Sequence, residues 1–105
     1  MGNMSESTIE ALIPKIKLYF ATQPVVRAWL FGSFSRGEET AQSDIDIIVD
    51  FDKSAHVGLL KYSSMYGDLK ELLGREIDLV KNGSIKPFAA NNVERDKILI
   101  YERAN

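Results

Sequence analysis

Two runs decide the reading of this chain: Leu30-Phe31-Gly32-Ser33-Phe34-Ser35-Arg36-Gly37 and Ser43-Asp44-Ile45-Asp46-Ile47-Ile48-Val49. In the first, a Gly-Ser turn leaves an apolar run. In the second, two aspartates one residue apart sit inside another apolar run. A glycine after a strand lets the backbone approach a phosphate closely, and N–H groups at a helix start favour an anion. Carboxylates at i and i+2 of a strand project from one face, roughly 7 Å apart. The first run therefore has the makings of a phosphate cradle and the second of a metal-ion platform.

Outward from these runs, the chain reads as alternating helices and strands. Ile9, Leu12, Ile13, Ile16 and Phe20 follow helical spacing after a Ser5–Thr8 cap, with Pro14 as a kink or second start. Pro24 ends that region, and Val25–Phe31 reads as a buried strand. Residues 34–39 suit a short helix. Ser43–Phe51 is the second strand, with Asp44, Asp46 and Ile48 on one face and Ile45, Ile47 and Val49 on the other. Gly58–Gly74 is an amphipathic helix stopped by Gly74. Arg75–Val80 is a third strand ended by Asn82-Gly83. Residues 87–95 suit a short helix, and Ile98–Tyr101 a closing strand or helix tail. This order predicts an α/β (α+β) domain with a small sheet and helices on at least one face.

The 105 residues suit one domain spanning 1–105, with 1–4 as a short disordered lead and Met4 as a second start. There is no room for a separate substrate-recognition domain. Fifteen acidic and 13 basic residues leave a net charge of −2, which argues against broad nucleic-acid binding but leaves a local basic groove open. No cysteine is present, so disulfides, thiolate metal sites and cysteine nucleophiles are excluded. Glu6, Glu10, Lys15 and Lys17 break any signal-peptide or membrane-span reading of the first twenty residues, and a cytoplasmic location is expected.

Each chemical reading stands beside a plainer one. An isolated Asp-x-Asp is more often a solvated edge strand, but the setting here favours ion binding. Magnesium takes oxygen ligands and shares its shell with substrate phosphates. Two such ions about 3.5–4 Å apart fit carboxylates at this spacing. Asp78 is a further lone carboxylate in a short apolar strand, and it completes a triad if that strand lies beside the second. Otherwise it is strand-edge solvation or a partner for Arg75. Gly32-Ser33 alone is a plain turn. Arg36 can grip polyphosphate oxygens or pair with Glu38 or Glu39. Ser43 can orient Asp44 or cap a neighbour. His56 reads as a solvated surface residue, and Trp29, Phe31, Tyr62 and Tyr66 read as core, while Phe34 beside the cradle could touch a nucleobase.

Gly32-Ser33, Arg36-Gly37, Ser43-Asp44-x-Asp46 and Asp78 together resemble the minimal nucleotidyltransferases of the DNA polymerase beta-like superfamily. The resemblance covers nearly the whole chain. It implies a mixed-sheet, single-domain nucleotidyltransferase fold using two Mg2+ ions and a nucleoside triphosphate, often ATP. By that likeness Asp44 and Asp46 bind both metals, Asp78 binds one, and Gly32 and Ser33 hold the triphosphate. Members of this size are similar to antitoxins whose partner is a HEPN-domain ribonuclease, and several transfer AMP to a tyrosine of that toxin. Two other functions remain beside this one: a non-catalytic antitoxin that works by occlusion, and nucleotidyl transfer to a small molecule. The sequence leaves the acceptor, the base preference and a homo-oligomer open.

Overall fold

The structure is a computed structural model. It describes residues 4–32, 44–83 and 97–104, with side chains from residue 10 onward. Strand β2 (Ile45–Phe51) lies at the interior of the sheet and shows why the chain folds as it does. Ile45, Ile47 and Val49 are completely buried on one face, and the intervening Asp46, Ile48 and Asp50 point to the other. Strand β1 (Val25–Phe31) runs antiparallel to it, with Phe31 opposite Asp46 and Trp29 opposite Ile48.

A helix, α2 (Leu59–Leu73), carries the chain from β2 to β3 (Ile77–Lys81), which lies parallel to β2 on its other side. A parallel pair cannot be joined by a tight turn, so a crossover is obligatory. Met65, Leu69 and Leu73 form the buried stripe of α2. Gly74 ends the helix in the left-handed region at φ 64°, and its amide donates to the Lys70 carbonyl at 2.9 Å. Strand β4 (Ile98–Glu102) closes the sheet antiparallel to β1, giving the order β3-β2-β1-β4.

Helix α1 (Met4–Phe20) contributes Leu12, Ile16 and Phe20 to the same core that holds the α2 stripe and Ile45, Ile47 and Val49. Both described helices thus cover one face of a mixed sheet. Burying each such side chain stabilises the fold by about 1.5–3 kcal/mol. The Tyr19 hydroxyl ties the helices together by donating to Asp68 at 2.6 Å. Burial, then the Asp68 contact and its charge, hold this phenol well above its ordinary pKa. No helix among the described residues is long and apolar enough to cross a membrane.

Several sequence expectations shift. Ser5–Thr8 lie inside α1 instead of capping it, and the helix begins at Met4, within the stretch expected to be a disordered lead. The helix runs through Pro14, whose missing amide leaves the Glu10 carbonyl without its helical donor. Pro14 is exposed, so water can serve that carbonyl. Strand β2 starts at Ile45, leaving Asp44 just ahead of it, and β3 is displaced to Ile77–Lys81. Ile98–Glu102 is a strand, not a helix tail. Trp29 and Phe31 stand half-buried outside the helix-side core, because their register puts them on the opposite face. The short helices expected over 34–39 and 87–95 fall outside the described residues.

Candidate active site

On the face away from the helices, the strand registers lay side chains out in three rows. Phe31, Asp46 and Asp78 form the first, with Asp46 directly opposite Asp78 across the parallel pair. The second contains Leu99, Trp29, Ile48 and Val80. In the third, Arg27 meets Asp50 at 3.6 Å and Glu102 at 3.0 Å. Carboxylates thus gather at one end of the face, apolar groups fill its middle, and an ionic cluster closes the other end.

Parallel registry brings Asp46 and Asp78 together, although 32 residues separate them in sequence. Asp44 stands just ahead of β2 and is exposed, as is Asp78. Among the described residues, no group of three His, Cys, Asp or Glu side chains is drawn close enough to hold a metal ion. The backbone aligns Asp46 with Asp78 and leaves Asp44 just ahead of the strand, and the three carboxylates are not converged.

Gly32 explains why β1 must end as it does. Its φ is 74°, in the left-handed region that glycine tolerates. A Cβ added there would overlap Asp46 Oδ2 and stand 3.2 Å from Asp46 Cγ. The Asp46 carboxylate therefore occupies the space a side chain at residue 32 would take. The Gly-Ser turn and the Asp-x-Asp strand are one unit in space, joined through this contact. Ser33, Arg36 and Ser43 lie outside the described residues.

Two nearby groups were not singled out for chemistry by the sequence reading. Lys97 places its Nζ 4.5 Å from the centroid of the Trp29 ring. The Tyr62 phenol is raised above its ordinary pKa, first by burial and then by the negative charge of Asp78. Lys97 stands one residue ahead of β4, and the uniformly apolar Ile98–Tyr101 run gives no alternation from which to place it. Nothing in the local sequence of Tyr62 links it to Asp78. His56 is exposed, as expected, and Tyr62 and Tyr66 pack against the core. A hollow of about 410 Å³ lies at the other end of β2, lined in part by Phe51, Val57, Tyr62 and Lys81.

A small mixed sheet with a glycine turn set against an aspartate row defines a nucleotidyl-transfer domain, and comparison with known proteins bears this out. The sequence profile of the nucleotidyltransferase domain matches residues 13–100. A candidate protein adenylyltransferase of Methanocaldococcus jannaschii is 39% identical over 72 residues, covering 68% of this chain and 72% of its own. The protein adenylyltransferase MntA of Thermococcus cleftensis is 39% identical over 71 residues, covering 68% and 70%. A solved structure of a candidate minimal nucleotidyltransferase superposes with a TM-score of 0.73 at 30% identity, over 88% of this chain and 92% of that one. A complex of the tri-AMPylated Shewanella oneidensis HEPN toxin with its MNT antitoxin matches with a TM-score of 0.64 over 90% of this chain and 72% of that one. Its 21% identity makes it a likeness of fold. The chain belongs to the nucleotidyltransferase domain family and is similar to its minimal members. By class it is a nucleotidyltransferase enzyme.

Proposed function

We propose that this enzyme moves AMP from ATP to a tyrosine hydroxyl of a HEPN-type partner protein and so acts as an antitoxin in the cytoplasm. The observation that carries the reading is the registry of Asp46 with Asp78, on the face where Gly32 abuts Asp46. Support for a protein acceptor comes from the relatives named protein adenylyltransferase and from the AMPylated toxin bound to an MNT antitoxin.

In the reaction, the acceptor oxygen attacks the alpha phosphorus of ATP. An oxygen–phosphorus bond forms to the acceptor, and the bond from the alpha phosphorus to the bridging oxygen breaks, releasing pyrophosphate. Asp78, at the exposed edge of the row, takes the acceptor proton in this reading. Gly32 and Ser33 hold the triphosphate through backbone N–H groups and a hydroxyl, Arg36 contacts its oxygens, and Ser43 orients Asp44. The donor set fits magnesium: Asp44, Asp46 and Asp78 offer only carboxylate oxygens, and Gly32 leaves room for the Asp46 carboxylate. Asp44 and Asp46 would hold two ions and Asp78 one of them. Bound there, magnesium would supply charge neutralisation at the phosphates and lower the acceptor hydroxyl's pKa.

The test is incubation with labelled ATP, magnesium and the product of the neighbouring gene. Label should move to a tyrosine of that protein, and Asp44→Asn or Asp46→Asn should abolish the transfer. Neutralisation of the partner that survives both substitutions would establish occlusion in place of catalysis. Label on a small molecule alone would overturn the protein acceptor.

A further inference from the structure

We propose that Lys97 binds the outer phosphates of the nucleotide donor and the pyrophosphate that leaves. This rests on reading the carboxylate row as a nucleotidyl-transfer site. The argument begins with register. Leu30 lies opposite Ile98, the last pair of the ladder, and carrying that register one step past the start of β4 sets Lys97 beside Phe31. Leu99 faces the carboxylate side with its partner Trp29, so Lys97, two residues earlier, shares that face. The position of its Nζ over the Trp29 ring agrees. Across the four strands, the end of the sheet therefore reads Asp78, Asp46, Phe31 with Gly32, and Lys97.

That order gives the site a direction. With the alpha phosphorus at the carboxylates and the tail over the Gly32 turn, the outer phosphates are led toward β4 and the acceptor is left to the β3 side. As the bridging bond breaks, negative charge accumulates on the departing pyrophosphate, and a cation held at that end stabilises the charge as it develops. Arg27 shares the face but is engaged by Asp50 and Glu102 two rows away. The Trp29 ring keeps the lysine ammonium on the face of the sheet by cation–π attraction. A charge-assisted contact to a phosphate oxygen is stronger than that attraction.

Trp29 is the single tryptophan of the chain and reports on this contact. The experiment titrates a non-hydrolysable ATP analogue, and separately inorganic pyrophosphate, in magnesium. It follows Trp29 emission and measures affinity independently by calorimetry. In the wild-type chain emission should change with saturation. Lys97→Met should bind both ligands about 10-fold or more weakly, lose the emission response and keep its thermal midpoint, and Lys97→Arg should recover the affinity. In turnover, the methionine variant should raise KM for ATP more than it lowers kcat. Unchanged calorimetric affinity in Lys97→Met, beside a wild type that binds, overturns the role of Lys97 and leaves the nucleotidyl-transfer reading standing. A wild-type chain that binds neither ligand overturns both.

Discussion

The two faces of β2 are built from the same seven residues and serve opposite ends. On the helix side Ile45, Ile47 and Val49 are sealed from water, while on the other side Asp46 and Asp50 keep partial exposure. Ile48 is the instructive exception. It is 1% exposed, yet it lies outside the helix-side core, in the middle row between the aspartates. The functional face is therefore not simply polar. An apolar row with Trp29, Ile48 and Val80 separates the carboxylate end from the Arg27 cluster. A low-dielectric strip of this kind strengthens electrostatic interactions next to it.

Substitutions on either face should separate activity from stability. The largest effect is expected from Asp46→Asn, which removes a charge at the centre of the row while leaving volume and fold intact. Nucleotidyl transfer should fall by about 10²–10³-fold or more, with the thermal midpoint little changed. Next comes its neighbour Ile47→Ala, on the sealed face. Truncation there should cost about 2–5 kcal/mol in chemical denaturation and reduce activity only as far as the folded fraction falls. If Asp46→Asn unfolds the chain, or Ile47→Ala inactivates a fully folded one, the division of labour between the faces is wrong.

Gly32→Ala breaks the comparison differently, because it acts on both stability and activity. The left-handed φ alone costs about 1–2 kcal/mol for a residue with a Cβ, and the methyl overlaps the Asp46 carboxylate. A loss of transfer well beyond what the fall in stability explains is expected. A fully active Gly32→Ala would show that Asp46 does not need the position it holds against the turn.

Much of this was legible in the sequence, and for a physical reason. Strict alternation in Ser43–Phe51 assigned both faces of β2, and helical spacing with Gly74 as stop delimited α2. The expected pairing of Asp78 with the second strand holds, because a β-α-β crossover of this length returns a parallel neighbour. The start of α1 was misread because Ser5, Ser7 and Thr8 carry a cap signal that the helix overrides. The contact of Gly32 with Asp46 was not legible, since it depends on how far β1 extends past its pairing with β2. Trp29 and Phe31 were assigned to the core from hydrophobicity alone. Their phase on β1 places them among the functional rows instead. The contact of Lys97 with Trp29 was not legible either, because 68 positions separate the two in sequence.

The smallest effect is expected at the far end of β2, where Asp52 offers a useful contrast to the aspartates before and within the strand. Its carboxylate receives Arg103 Nη1 at 2.7 Å, and the Ser54 amide and hydroxyl at 2.9 and 2.7 Å. The guanidinium contact first, then the two serine donors, hold its pKa far below the usual carboxylate range. A depressed carboxylate adds stability above its unfolded pKa of about 3.9 and loses it as pH falls through the folded value. Asp52→Asn should therefore lower the thermal midpoint slightly at pH 7, and its difference from wild type should shrink steadily below about pH 4. Transfer activity at pH 7 should be unaffected, because Asp52 fastens the chain end around Arg103 to the strand and stands at the opposite end from the carboxylate row. A pH-independent difference between the two proteins would mean that the ion pair adds nothing to the fold, and a loss of activity would mean that the two ends of β2 are coupled.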